Sequence, residues 1–392
     1  AELAEAHGAD ALLPSIWHTL ARLTAFDLAA VAEARRFAAH GDAALVRLDH
    51  PPQLEVDAAI TRAVIAESAG DLATNERELE VALALLRNHA DPRDHRLLVV
   101  LEQLAHVAAG RGDWARADDL YATVLERRSE RLGPDHPDVL LAAFNIGLNH
   151  RARGQWELAR STFERVLAGQ LERFGASIRC APSLVALAEA ELNTGAIEAA
   201  RDHAERAWAL QREHLPAGHH ERGSALALLS AIHAARNDDL SQLRIDLQLL
   251  GELDDIGSEL DRVVLSNDIG WLLCELDDCG RAVPYYERVA ASADTMPMRI
   301  AAVHGRARIA LARGDRDEAR RGLELALAQA LAHRGDDIAY ERAEIELHLA
   351  ELLDVIEPGA PRIAELARSA AASYRRLAVR PTALARALAL VD

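Results

Sequence analysis

Arg111–Leu125 reads RGDWARADDLYATVL and Arg153–Leu167 reads RGQWELARSTFERVL, one pattern displaced by 42 residues. Gly112 and Gly154 hold the same place in the two copies. Equivalents fall at Gly70, Gly195, Asn237, Asp277 and Gly314, so successive markers are spaced 42, 42, 41, 42, 40 and 37 residues apart. A recurrence of this length is the signature of stacked supersecondary units.

Each marker sits inside the same small pattern. Seven residues before it is a small side chain: Ala63, Ala105, Gly147, Ala188, Ser230, Gly270 or Ala307. Five residues after it comes Ala117, Ala159, Ala200, Ala282 or Ala319, with Asn75 and Gln242 in the remaining copies. Four further on stand Leu79, Tyr121, Phe163, Tyr286 and Leu323, while Ala204 and Asp246 depart from the bulky apolar rule. Small residues let two helices approach and a large one fills the space between them. A glycine between them supplies the positive φ that ends one helix and reverses the chain. The unit is therefore a helix–turn–helix pair, too thin to bury its apolar face alone and stable when stacked.

The expected fold is all-α: a right-handed α-solenoid of about nine stacked helix–turn–helix pairs, forming a single domain over 1–392. A divergent first pair occupies 9–49, the core repeats 52–335, and a closing pair with a capping helix 338–392. Composition agrees, because half of the residues are hydrophobic yet only 15 of 392 are aromatic and the apolar set is mostly Ala and Leu, strong helix formers.

The 44 basic residues are all arginine. Without lysine the chain has no Walker-A lysine, no kinase ATP-binding lysine and no Schiff-base or pyridoxal-phosphate site. A net charge of −18 opposes a nucleic acid or an anionic membrane as main partner. Three cysteines, Cys180, Cys274 and Cys279, are a sparse set that points to a reduced, cytoplasmic protein. The first residue is Ala, as expected of a processed chain or a piece of a longer one.

Leu132–Val139 spells LGPDHPDV between two repeats, with eroded versions at Asp91–Leu97 (DPRDHRL) and Leu215–Gly223 (LPAGHHERG). This octapeptide with its 42-residue period resembles the tetratricopeptide repeats of kinesin light chains. The whole plan resembles the C-terminal repeat region of myxobacterial serine/threonine kinases. The resemblance implies a non-catalytic interaction module, a scaffold, adaptor or sensor arm in bacterial signalling. Its partner would be a peptide or protein held in the concave groove, and an N-terminal kinase or other effector could be attached outside this chain. The alternative it implies is a regulatory ligand-sensing domain of such a kinase. In the octapeptide, Gly133-Pro134 should stop one helix, Asp135 or His136 cap the next, and Pro137 occupy its first turn.

In such a stack the first helices line the concave face. The inward positions lie ten, nine and six residues before each marker. They supply Glu102, Gln103 and His106 in the third pair and Phe144, Asn145 and Leu148 in the fourth. Glu189 follows in the fifth, Asn267, Asp268 and Trp271 in the seventh, and His304 and Arg308 in the eighth. In kinesin-light-chain-like repeats an Asn at the place of Asn145 holds a peptide backbone through its carboxamide; Trp271 would be an aromatic anchor. With no lysine, basic contacts must come from Arg, as at Arg151 or Arg308. No cofactor, metal or catalytic site is expected. His214, His219 and His220 belong to an eroded linker, Asp254-Asp255 and Asp277-Asp278 to loops, and Cys274 and Cys279 are expected as packed thiols.

Overall fold

A computed structural model describes residues 10–25, 30–89, 91, 94–217, 219, 221–253, 258–292, 295–333, 335–377 and 381–391. His220 and the Asp254-Asp255 pair lie outside the described residues. Among the described residues there is no strand, and the chain divides into two compact units, Ala1–Arg179 and Cys180–Asp392. The first holds α1 (Leu13–Ala25), α2 (Val31–Arg47), α3 (Pro52–Ser68), α4 (Leu72–His89), α5 (His95–Gly110), α6 (Trp114–Leu132), α7 (Pro137–Ala152) and α8 (Trp156–Phe174). The second holds α9 (Ala181–Asn193), α10 (Ile197–His214), α11 (Ser224–Ala235), α12 (Asp239–Leu253), α13 (Glu259–Glu275), α14 (Cys279–Ala291) and α15 (Met296–Ala312). It continues with α16 (Arg316–Ala332), α17 (Ala339–Ile356), α18 (Pro361–Leu377) and α19 (Pro381–Ala389). In each unit consecutive helices pair and each pair packs on the next, the arrangement of an α-solenoid.

All seven markers adopt positive φ: Gly70 at 71°, Gly112 at 77°, Gly154 at 67°, Gly195 at 83°, Asn237 at 54°, Asp277 at 60° and Gly314 at 80°. The residue after each marker closes a Schellman loop. Asp113 N–H donates to the Ala108 carbonyl at 2.9 Å, Gln155 to His150 at 2.9 Å and Asp278 to Leu273 at 2.8 Å. In four of the five copies where an Asp follows the marker, its carboxylate accepts from the backbone N–H three residues on, whereas Asp278 makes no such cap bond. Asp113 accepts from the Arg116 N–H and Asp315 from that of Glu318. Between repeats, Gly133 has φ 85° and ends α6; the His136 side chain, rather than Asp135, then caps α7 by accepting from Asp138 N–H at 3.2 Å.

The small and large positions meet as their spacing implies. Phe163 is fully buried against Gly147, where a Cβ would stand 2.4 Å from its ring. Tyr286 lies against both Gly270 and Gly305, whose Cβ atoms would come within 3.0 and 2.2 Å. In the copy around Asn237 the three departures are neighbours of one another: Asp246, 1% exposed, has Ser230 and Gln242 beside it. A polar cluster there replaces the small–small–large packing.

Successive pairs are also tied by arginines that reach back one repeat. Arg96 meets Asp57 at 3.0 Å, Arg116 meets Glu76 at 2.7 Å and Arg153 meets Asp118 at 2.7 Å in the first unit. Arg236 meets Glu198, Arg308 meets Glu275 at 2.7 Å and Arg386 meets Glu351 at 2.8 Å in the second.

Cys274 and Cys279 differ from expectation. They form a disulfide rather than packed thiols, because the turn at Asp277 brings the last residues of α13 to the first of α14, with the two Cα atoms 4.2 Å apart. Cys180 is buried and takes no part in this disulfide.

Candidate functional site

Equivalent turns of α5 and α7 place the first group of expected residues together. Glu102, on α5, is 8% exposed. Its carboxylate accepts from the Arg128 guanidinium at 2.7 and 3.2 Å and from the Asn145 carboxamide at 2.8 Å. Asn145 thus spends one of its two N–H donors within the protein, and the other N–H and the carbonyl are left to meet a peptide unit. Gln103 is half-buried; His106 is exposed and sits edge-on to Tyr121 at 5.6 Å. Phe144 packs on Phe163 at 5.4 Å, which makes it as much a core residue as a surface one. Leu148 and Arg151 are half-buried on the same helix. The structure brings Glu102 and Asn145 into contact and leaves Gln103, His106 and Leu148 as separate points on this face.

In the second unit the expected residues converge further. Trp271, on α13, is half-buried, with the Arg308 guanidinium 5.7 Å over its ring. Arg308, on α15, is 5% exposed and donates to the Glu275 carboxylate. His304, one turn earlier on α15, is 2% exposed. Its Nδ1 lies 2.6 Å from Glu341 Oε1 and its Nε2 2.9 Å from His348 Nδ1, so a carboxylate and two imidazoles form one chain. Neither His304 nor Arg308 is therefore a free groove contact; both are built into the wall. Glu189, on α9, is half-buried.

Asp268 is the exposed member, accessible to solvent yet surrounded by protein on the face of α13. That enclosure, with Asp246 and Glu341 adding negative charge nearby, pushes its carboxyl up to about 7, against a weaker opposite pull from Asn267. Burial also pushes Asp246 up. Burial favours the neutral form of Glu341 too, but His304 and Arg308 outweigh it and hold the carboxyl below its ordinary value. Burial, then Arg308 and His304, keep His348 far below the ordinary imidazole range, so it is neutral at pH 7.

The sequence pattern named half of this cluster. Glu341, Glu344 and His348 were missed because α17 has no marker turn at the regular spacing, and Glu275 because it lies two residues before the Asp277 marker, outside the positions taken as inward. A signal was present nonetheless. Glu341, Glu344, His348 and Glu351 recur at three- and four-residue steps, a polar stripe on one face of an otherwise apolar helix.

A tetratricopeptide repeat family model matches residues 96–172. No curated protein sequence matches the chain. Among solved structures, the apo form of RapI is 8% identical, with 93% of this chain and 98% of that one aligned at a TM-score of 0.66. A Rap protein complexed with Competence and Sporulation Factor is 13% identical, over 98% and 99% of the two chains, at 0.50. A kinesin light chain with nearly identical TPR-like repeats from Podosopora anserina is 20% identical over 52% of this chain and 96% of its own, at 0.45. The family match and the likeness to the two Rap structures establish the fold, a solenoid of tetratricopeptide type.

Proposed function

We propose that this chain, with tetratricopeptide repeats over residues 96–172, is a non-catalytic interaction module that holds a peptide or protein segment on its first-helix face. The observation that carries this reading is the cluster on α13. Asn267, Asp268 and Trp271 present an amide, an accessible carboxylate and an indole within two turns, on a wall made rigid by Arg308 and His304. Asn145, Gln103 and His106 offer further polar points in the first unit. A segment with basic or amide groups would suit this surface, given the carboxylates at Asp268 and Glu341. The Rap structure solved with Competence and Sporulation Factor supports binding by a related fold.

The second reading is a sensor: a small ligand at the α13–α15–α17 cluster biases an attached signalling domain such as a Ser/Thr kinase. It is supported by the convergence of titratable groups there.

A peptide array probed with the full chain tests the first reading. Wild type should retain a subset of peptides, and Trp271→Ala with Asp268→Lys should lose them at least tenfold. Retention unchanged in that double variant would overturn the role of α13, and the same outcome for Asn145→Ala would remove the first unit's contribution.

A further inference from the structure

Glu275, at the end of α13, and Glu344 and His348, on α17, each bring one donor atom to within 4.8 Å of the other two. Glu344 is 2% exposed and His348 7%, while Glu275 is half-buried. We propose that Glu275, Glu344 and His348 are the protein ligands of a divalent transition-metal ion, with Zn²⁺ the best match to two carboxylates and one imidazole.

The chemistry of the donors points this way. Zinc accepts His nitrogen and Glu oxygen at about 2.0–2.2 Å, and a three-ligand protein set leaves a position open for water or a ligand. Side-chain rotations would draw the three atoms together, since α15 touches both sides of the set: Arg308 bonds Glu275 and His304 bonds His348.

Each donor residue also has an outer partner. Tyr374 donates its hydroxyl to Glu344 Oε1 at 2.8 Å, and Arg308 donates to Glu275 Oε1 at 2.7 Å. His348 Nδ1 meets His304 Nε2, and His304 Nδ1 meets Glu341. A carboxylate can only accept, so His304 donates its Nδ1–H to Glu341. With Nδ1 engaged by His304, Nε2 is the His348 nitrogen left to ligate an ion. Metal-binding imidazoles and carboxylates are commonly oriented in this way.

Charge supplies an independent reason. Two cations, Arg308 and Arg386, stand by the cluster; Arg308 pairs with Glu275, and Arg386 pairs with Glu351 while also facing Glu344 and Glu275. Against them are the four carboxylates Glu275, Glu341, Glu344 and Glu351. The carboxylates outnumber the guanidiniums four to two, an excess that suits a divalent cation. Ca²⁺ and Mg²⁺ would need more oxygen donors than this set offers.

The test uses the full chain, stripped with chelator and titrated with ZnCl₂ by calorimetry, and with CoCl₂ by visible absorption. One ion per chain is expected, with Glu275→Gln and His348→Gln each weakening it tenfold or more and abolishing the cobalt d–d bands. Circular dichroism checks folding; if His348→Gln unfolds, the half-buried Glu275→Gln decides alone. No saturable stoichiometric binding, or binding unchanged in the folded variants because other histidines hold the ion, would overturn the proposal. Because the probe is the metal alone, this outcome is separate from that of the peptide array.

Discussion

Tyr286 fills the space that side chains on Gly305 and Gly270 would need, with its ring 2.2 Å from the position of a Gly305 Cβ and 3.0 Å from that of Gly270. Alanine gains up to about 1 kcal/mol of helix propensity over glycine, while overpacking costs about 1–3 kcal/mol. Gly305→Ala should therefore destabilise, lowering the urea midpoint, whereas Gly270→Ala should stay within about 1 kcal/mol of wild type. Equal effects at the two sites would show that Tyr286 simply moves aside.

The marker turns make the opposite kind of prediction. Asp277 holds φ 60° and is exposed. Non-glycine residues at such angles cost about 1–2 kcal/mol, partly offset by the greater unfolded freedom of glycine. Asp277→Gly is expected to stabilise by roughly 0.5–1 kcal/mol, and Gly314→Ala, at φ 80°, to destabilise by about 1 kcal/mol. Thermal melts of the two variants should shift in opposite directions.

Glu102 and Arg128 are each 11% exposed at the side chain. Glu102→Ala leaves a buried guanidinium without its carboxylate, expected to cost about 3 kcal/mol. Adding Arg128→Met should recover most of that loss, because the unpaired charge goes with it. A double-mutant cycle in urea measures this; a second loss as large as the first would mean that Arg128 is held by other contacts.

Asp268 carries the pH prediction. Its folded pKa of about 7 lies above the ordinary 3.8, so its contribution to stability is fully present below about pH 4 and is lost as pH rises through 7. Asp268→Asn removes that dependence. The variant should melt higher than wild type at pH 8, and the gap should close towards pH 4. A constant gap across this range would place the carboxyl in ordinary water.

The repeat register was fully legible before the structure, since all seven marker turns depend on one backbone angle that glycine, asparagine and aspartate tolerate. The packing of Phe163 on Gly147 was legible for the same reason: size at fixed spacing determines contact. What Asn145 and His304 do was not, because their partners come from adjacent repeats, 43 residues back for Asn145 and 37 residues on for His304. Asn145 gives one donor to Glu102, and His304 joins Glu341 and His348 in the wall. The Cys274–Cys279 bond likewise depended on how closely one turn reverses the chain.

The arginines that reach back one repeat have a chemical consequence. A guanidinium keeps its proton to about pH 12 or beyond, so none of these rungs can be discharged by alkali, and none offers an amine to acetylation or to acylating reagents. Each rung also joins only adjacent pairs, so local opening passes from one pair to its neighbour by weakening a single rung at a time. Mild alkaline conditions that loosen lysine-tied solenoids should leave hydrogen-exchange protection within each unit of this one almost unchanged.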